Sequence, residues 1–199
     1  PHMTGIGGDC FAMLSIDGST NIKTINGSGR SSINSCAKTL RKKDFKIISP
    51  EMPDAITIPG AVSGWNLLHK EHGYMPWKDL FSLAIKYAQQ GISVHERVAI
   101  DWSKNTKKLS YDRDTSNLFL RNGKPFKFMD IFKNENLSET FDTIAHEGFN
   151  GFYRGWVAED LVKKLKSIGG CQTLEDFSNA SAEWVRPIAA NYRKIRVHE

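Results

Sequence analysis

The residues of this chain with the strongest potential for catalysis or metal binding are its six histidines and three cysteines. His69 and His72 lie three positions apart in the segment HKEH, whereas zinc peptidases carry the order HExxH on a helix. Two histidines at this spacing just before Gly73 are typical of the solvated end of a helix. The histidine pair therefore does not predict a metal site.

The cysteines do not suggest a site either. Cys10, Cys36 and Cys171 are far apart, and no CxxC pair or Cys/His cluster is present to bind zinc. We expect free thiols, with one disulfide as the alternative that the sequence leaves open. A serine nucleophile of the G-x-S-x-G type is also missing. The residues alone thus yield no catalytic centre, and we expect no metal and no cofactor.

Two glycine-containing segments remain as candidates for a binding role. Gly5, Gly7 and Gly8 precede an apolar run, but they match neither GxGxxG at a helix start nor a P-loop. A turn or a close backbone approach explains them better. Arg30 closes the segment NGSGR, and a guanidinium on a loop of small residues can reach a carboxylate bidentately. A surface arginine without function is the alternative.

Length and composition limit the remaining possibilities. The 199 residues, 40% of them hydrophobic, suffice for one medium domain or two small ones. The net charge of +5 is spread thinly, and only residues 38–46 (KTLRKKDFK) are densely basic. We interpret that segment as a solvated face and expect no nucleic-acid binding, because no aromatic interleaving or known module accompanies it. No apolar stretch approaches the roughly 20 residues that cross a bilayer.

The pattern of apolar residues and turns predicts a hairpin followed mostly by helices. Strand-length apolar runs at 10–16 and 21–26 flank the turn at 17–20, which is typical of a β-hairpin. A long connection is predicted over 106–135, with a turn at 122–125. A strand is predicted over 191–198. The predicted helices cover 32–40, 63–72, 77–90, 94–105, 136–147, 152–168 and a short turn at 173–176 with Asp176 placed as in a capping box.

Five segments, in this order, resemble the gamma-glutamyltranspeptidase family, and most closely its branch with cephalosporin-acylase-like members. TGIGGDCFAML followed by NGSGR is similar to the family's glycine-rich strand entry and substrate-arginine loop. The other matching segments are IPGAVSGWNLLHKEHG, WKDLFSLAIKYAQQGISV, the stretch from NENLSETF to KKLKSIGG, and TLEDFSNASAEWVRPIAANYRKIRV. The resemblance covers residues 4–199, whereas residues 1–3 read as a cloning remnant.

The resemblance implies both a fold and a reaction. The fold is α+β: a mostly helical part of an αββα N-terminal-nucleophile hydrolase sandwich, with a hairpin near the N-terminus and a truncated strand at the C-terminus. The implied reaction is cleavage of γ-glutamyl amides by the N-terminal Thr of a small subunit, formed by self-cleavage of a precursor. That Thr lies outside this chain, and Thr4 does not correspond to it. Arg30 occupies the position of the arginine that binds the α-carboxylate of the glutamyl group.

On this interpretation the chain is a partial large-subunit domain, inactive alone, whose partner is the small catalytic subunit of the same precursor. The first strand and helix of the family are expected to be missing. The GGD-C and NGSGR spellings depart from the commoner family versions, so an acylase of related amides is an alternative, as is a non-catalytic protein of the same fold. Family members occur both inside the cytoplasm and outside it, so the compartment stays open.

Overall fold

The structure is a computed structural model that describes residues 4–42 and 44–199. The described residues divide into two units: those of 4–77 together with Glu147–Glu199, and Lys78–His146. The expected cloning remnant at 1–3 lies outside the described residues. Within the described part of the chain, no helix combines the length and the apolar character that crossing a membrane requires.

The first unit is built on the hairpin that the sequence predicts. Strand β1 (Cys10–Leu14) pairs antiparallel with β2 (Lys23–Gly27), and β2 pairs antiparallel with β7 (Glu183–Val185). Asp17 and Gly18, both with positive φ, form the turn between β1 and β2. The resulting sheet has the order β1-β2-β7, so the central strand lies next to a segment about 160 positions away in the sequence.

Helix α2 (Ala61–His72) covers one face of this sheet. Alternate strand residues point to opposite faces, and Ile25, on the face toward α2, is fully buried. Cys10 points the same way and lies so close to Gly64 that a Cβ at Gly64 would be 2.9 Å from its Cβ. Gly64 therefore lets the helix approach the sheet closely. The opposite face carries Phe11 and Met13, which are 66% and 44% exposed.

A buried tyrosine ties the start of α2 to the C-terminal part of the first unit. The hydroxyl of Tyr153 donates a hydrogen bond to the carbonyl oxygen of Pro59 (2.7 Å) and accepts one from the backbone N–H of Ser63 (3.1 Å). Burial raises the pKa of this phenol, with a smaller opposite effect from the Ser63 hydrogen bond. The hydroxyl is therefore protonated across the physiological range and remains a donor.

The rest of the first unit consists of short helices and a second hairpin. Gly155, with φ of 111°, separates two helices where the sequence predicts one over 152–168. The predicted strand 191–198 is likewise divided, because Arg193 adopts φ of 55° and reverses the chain. The elements are α1 (Ala37–Lys42), a 3-10 turn (Pro53–Ala55), α8 (Phe149–Tyr153), α9 (Trp156–Ser167), α10 (Leu174–Ser178), β8 (Ala189–Tyr192) and β9 (Ile195–His198).

The second unit packs around an aromatic cluster. The indole of Trp102 lies edge-on to the rings of Phe119, Phe126 and Phe132, with centroid distances of 5.1–5.8 Å. The elements of this unit are α3 (Ser82–Gln90), β3 (Ile92–Ser93), α4 (Glu96–Lys104), α5 (Thr106–Leu109), α6 (Arg113–Phe119), β4 (Leu120–Arg121), β5 (Lys124–Pro125), β6 (Ile131–Phe132) and most of α7 (Glu135–Glu147). A 3-10 turn (Trp77–Phe81) precedes α3.

The prediction of a long connection over 106–135 is wrong, because the segment contains two helices and three strands. Each strand has only two residues, which is too short for an apolar alternation to reveal. Asp112 caps α6 by accepting from the backbone N–H groups of Asp114 and Thr115 (both 3.0 Å). The turn at 122–125 is confirmed, with Asn122 and Gly123 both at positive φ between β4 and β5.

Replacing Tyr153 by Phe should destabilise the protein by about 1–3 kcal/mol, because the buried carbonyl of Pro59 and N–H of Ser63 lose their partner. Urea denaturation of the full-length protein measures this free energy. Tyr74→Phe is the matched control, because that side chain is fully exposed. Equal midpoints for the two variants would contradict the bridging role of Tyr153.

Candidate functional site

The loop after β2 carries Arg30. Two hydrogen bonds hold its backbone, one from the end of β2 and one from the segment before β1. The side-chain oxygen of Asn26 accepts from the backbone N–H of Ser28 (3.0 Å), which closes a local turn. The carboxylate of Asp9, just before β1, accepts from the backbone N–H of Gly29 (2.7 Å). The backbone of the segment NGSGR is therefore fixed by the entry to the neighbouring strand.

Glycines allow this loop to lie directly against the backbone before α2. A Cβ on Gly29 would overlap the carbonyl oxygen of Ile58, and one on Gly60 would overlap the carbonyl oxygen of Gly27. The backbone N–H of Ile58 donates to the carbonyl oxygen of Arg30 (2.8 Å), which adds a direct hydrogen bond to the contact. Side chains larger than hydrogen cannot occupy these positions without moving the loop.

The glycine-rich segment before β1 has a structural role at the start of α2. The carbonyl oxygen of Gly8 accepts from the backbone N–H groups of Gly60 (3.0 Å) and Ala61 (2.9 Å). It thereby satisfies donors that a helix N-terminus leaves without intrahelical partners. Gly5 and Gly7 leave open space where a Cβ would be.

Arg30 projects from this loop into solvent beside an acidic side chain. Its Nη2 lies 3.1 Å from Oε1 of Glu183, and the two side chains are 70% and 53% exposed. Glu183 reaches this place because it pairs with Asn26 in the register of β2 and β7. The sequence predicts Arg30 but not Glu183, since only the antiparallel pairing of two distant segments brings it close.

Two adjoining cavities surround Arg30. One of about 280 Å³ includes Arg30, Pro59 and Asp176 in its lining. The other, of about 470 Å³, is lined by small or polar residues only: Asn26, Ser28, Gly29, Arg30, Ser31, Ser181 and Glu183. Arg30 is shared by both cavities, so its guanidinium is accessible to a small polar ligand.

The carboxylate of Asp176 fixes the chain that follows Arg30. It accepts from the hydroxyl of Ser32 (2.8 Å), the backbone N–H of Ile33 (2.9 Å), and the backbone N–H and hydroxyl of Thr173 (2.8 and 2.9 Å). The predicted capping box is confirmed at the start of α10. Burial opposes ionisation, but these hydrogen bonds outweigh it and lower the pKa of Asp176.

The sequence predicts a solvated histidine pair, but both side chains are half-buried against aromatic rings. Nε2 of His69 lies 2.7 Å from the carbonyl oxygen of Met75, and its ring is edge-on to Trp77. His72 is edge-on to Trp184, whose indole N–H donates to the carboxylate of Glu71. The described residues contain no cluster of three or more His, Cys, Asp or Glu side chains that could hold a metal ion.

The cysteines agree with the prediction of free thiols. Cys10, Cys36 and Cys171 are free thiols, and burial raises the pKa of the Cys10 thiol despite a hydrogen bond with Trp65 that lowers it. A raised pKa leaves little thiolate at neutral pH, so Cys10 is a poor nucleophile and packs as a small apolar residue.

Comparisons with known proteins identify the family. The sequence matches gamma-glutamyltranspeptidase over residues 1–199. The chain belongs to this family. It is 33% identical over 199 residues to the glutathione hydrolase-like YwrD proenzyme of Bacillus subtilis, and it spans 38% of that relative's length. The predicted family is therefore confirmed, for a segment much shorter than this relative.

Two solved structures share the fold. The crystal structure of cephalosporin acylase from Bacillus halodurans matches with a TM-score of 0.90 and 28% identity, over 98% of this chain and 37% of that one. The gamma-glutamyltranspeptidase of Helicobacter pylori also matches with a TM-score of 0.90, at 24% identity, over 97% of this chain and 56% of that one. The predicted fold class, α+β with a hairpin near the N-terminus, is thus confirmed.

Replacing Gly29 by Ala should displace the Arg30 loop, because the added methyl group would overlap the carbonyl oxygen of Ile58. We expect a loss of about 1–3 kcal/mol in the free energy of unfolding. Chemical denaturation of the full-length protein checks this value. Gly7→Ala is the control, since its methyl group would enter open space. Equal stability of the two variants would show that the close approach of this loop is not required.

The lowered pKa of Asp176 predicts a pH-dependent contribution to stability. The ionised carboxylate is favoured in the folded state, so its contribution is full above the unfolded pKa of about 3.9 and is lost as pH falls through the lower folded value. Asp176→Asn cannot accept all of these hydrogen bonds and should be less stable at pH 7. The stability difference between wild type and this variant should shrink below about pH 4. A difference independent of pH would contradict this assignment.

Proposed function

We propose that this chain is the large-subunit part of a γ-glutamyl hydrolase or transferase, and that Arg30 binds the α-carboxylate of the γ-glutamyl group. Family membership supports the reaction class. The observation that carries the residue assignment is the exposed guanidinium on a glycine loop, opening into a polar cavity of about 470 Å³. A planar guanidinium with paired donors matches a carboxylate in geometry and charge.

The covalent chemistry would come from outside this chain. By resemblance to the family, the nucleophile is the N-terminal Thr of a small subunit, and its own α-amine acts as the base. The Thr hydroxyl attacks the γ-glutamyl amide carbon and the amine leaves; water or an amino acid then takes the acyl group. Arg30 would hold the acyl group in place through both steps, which converts binding energy into orientation.

A partner subunit accounts for the open face of the first unit's sheet. Phe11 and Met13 lie on the face opposite α2, and a cavity of about 850 Å³ extends over them toward Ile188, which is 75% exposed. Apolar surface of this kind is usually covered by another element. We propose that the small subunit of the same precursor packs here, which agrees with the chain spanning 38% of its Bacillus subtilis relative.

A second candidate function is hydrolysis of related amides with a different acyl group. The 28% identity to a cephalosporin acylase favours it as an alternative. A non-catalytic scaffold is the third candidate. The sequence of the full-length protein distinguishes it from the two enzyme candidates. A Thr or Ser that follows a processing site supports an enzyme, and its absence supports the scaffold.

Arg30→Ala in the full-length protein should leave self-cleavage intact and abolish most γ-glutamyl activity. Loss of a charged bidentate contact costs on the order of 2–4 kcal/mol, or about 30- to 1,000-fold in kcat/KM. Intact mass reports the cleavage, and release of nitroaniline from a γ-glutamyl anilide reports the activity. Arg30→Lys keeps the charge without the paired donors and should recover only part of the activity.

Arg154→Ala is the matched control, because it removes an exposed arginine of the same unit away from the cavities. It should behave as wild type. If the wild-type protein cleaves itself but shows no γ-glutamyl activity, the result would contradict the γ-glutamyl substrate and support the acylase alternative. A protein that neither cleaves itself nor turns over the anilide would support the scaffold.

A further inference from the structure

A four-residue turn in the second unit carries a side chain that its backbone conformation does not favour. The backbone N–H of Asp130 donates to the carbonyl oxygen of Lys127 (3.1 Å), and the carboxylate of Asp130 accepts from the backbone N–H of Lys127 (2.8 Å). Met129, at the third position of this turn, has φ of 70°, a conformation that turns usually assign to Gly or Asn. A methionine there is a local cost, and a function of its side chain would explain why it is present.

The two central side chains of this turn, Phe128 and Met129, are apolar and point into solvent. They are 56% and 63% exposed. Their backbone is nevertheless fixed, because the N–H of Met129 donates to the carbonyl oxygen of Val94 (2.9 Å) and the N–H of Val94 donates to that of Asp130 (2.8 Å). Val94 is buried. An ordered backbone therefore presents an apolar tip at the surface of the second unit.

Lysines surround this apolar tip. A groove of about 540 Å³, lined by α4 and by the segment that leads into the turn, includes Phe128 in its lining. Lys104, Lys124 and Lys127 line the same groove, and Glu96 is the one acidic residue of its lining. All three lysines are exposed. The apolar tip and three ammonium groups thus share one face of the second unit.

The positive charge of this face is not balanced from within the described part of the chain. The ion pairs of the described residues involve none of the three lysines. Asp130, the acidic residue of the turn, lies beside Arg121, with 3.9 Å between Oδ1 and Nη1. The ammonium groups are therefore available to an anionic partner.

An apolar tip among lysines fits the surface of an anionic lipid bilayer. Apolar side chains enter the boundary between head groups and acyl chains, while the flexible lysine side chains keep their ammonium groups at the level of the phosphates. Interfaces between proteins favour arginine and are depleted in lysine, so a protein partner fits this composition less well. We propose that this face of the second unit binds anionic bilayers, with Phe128 and Met129 inserted among the head groups. The inference is independent of the proposed reaction.

The test is flotation of the full-length protein with two kinds of vesicle: phosphatidylcholine alone, and phosphatidylcholine with about one third phosphatidylglycerol. Wild type should bind the anionic vesicles at least about tenfold more tightly, and added salt should weaken this binding by screening. Lys124→Gln should lower the affinity for anionic vesicles about fivefold, the value of one basic residue near such a surface. Lys86→Gln removes an exposed lysine of α3 outside the groove and should leave the affinity unchanged.

Met129→Gly separates membrane binding from folding. The variant should bind anionic vesicles about 3- to 10-fold more weakly, because it loses an apolar side chain at the tip. It should be at least as stable to urea as wild type, because glycine adopts a positive φ without steric cost. Asn122→Gly is the matched control: it also places glycine at a positive φ in the second unit, but it removes a polar side chain and should leave vesicle binding unchanged.

Each outcome supports or overturns the inference. Wild type that binds neither kind of vesicle overturns it and favours an acidic protein surface as the partner of this face. Equal affinity for neutral and anionic vesicles overturns the role of the lysines. Unchanged vesicle binding by a folded Met129→Gly variant overturns the insertion of the turn. Weaker binding by a variant that is as stable as wild type supports it.

Discussion

The arrangement of the candidate site depends on the contact between two backbone segments, residues 27–30 and 58–60. A Cβ on Gly29 or Gly60 would overlap the backbone of the opposite segment, and one on Gly27 would overlap the carbonyl oxygen of Cys10. A hydrogen bond from the backbone N–H of Ile58 to the carbonyl oxygen of Arg30 adds to the contact. The second segment leads directly into α2, so the loop that carries the guanidinium is fixed to the helix that covers the sheet. A flexible surface loop would have to pay the entropy of ordering when it binds a ligand, whereas this one is already ordered.

Two polar side chains, the buried Tyr153 and the half-buried Asp176, extend this contact into the C-terminal part of the first unit. Tyr153 bridges Pro59 and Ser63, and the carboxylate of Asp176 gathers hydrogen bonds from Ser32, Ile33 and Thr173. Apart from the contact with Thr173, these hydrogen bonds join residues 90 to 144 positions apart in the sequence. Such networks are costly to break, because each lost partner leaves a buried polar group unsatisfied.

Local signals in the sequence predicted much of this fold. The hairpin at 10–26, the end of α2 at Gly73 and the capping box at Thr173 and Asp176 follow from turn, stop and cap residues, and the structure confirms them. Helix starts are less accurate: the helix predicted over 136–147 begins one residue earlier, and the side chain of Asn134 accepts from the backbone N–H of Leu137. The two-residue strands of the second unit gave no periodic signal.

Only part of the candidate site could be predicted from the sequence, because the rest depends on contacts between distant segments. Arg30 follows from the NGSGR loop and from the family resemblance. Glu183 and Asp176 reach the same place through strand pairing and packing across more than 140 positions, which no local pattern reports. The function of the glycines at 27, 29 and 60 likewise depends on which backbone they face, and that is a property of the tertiary structure.

The most direct test of this account is a crystal structure of the self-cleaved full-length protein with glutamate bound. The account predicts that the α-carboxylate of glutamate lies within about 2.7–2.9 Å of the guanidinium nitrogens of Arg30, with the γ-carboxylate directed toward the nucleophile. Glutamate bound elsewhere, or held by Arg30 through its γ-carboxylate, would contradict the assignment of this chain as the part that binds the α-carboxylate.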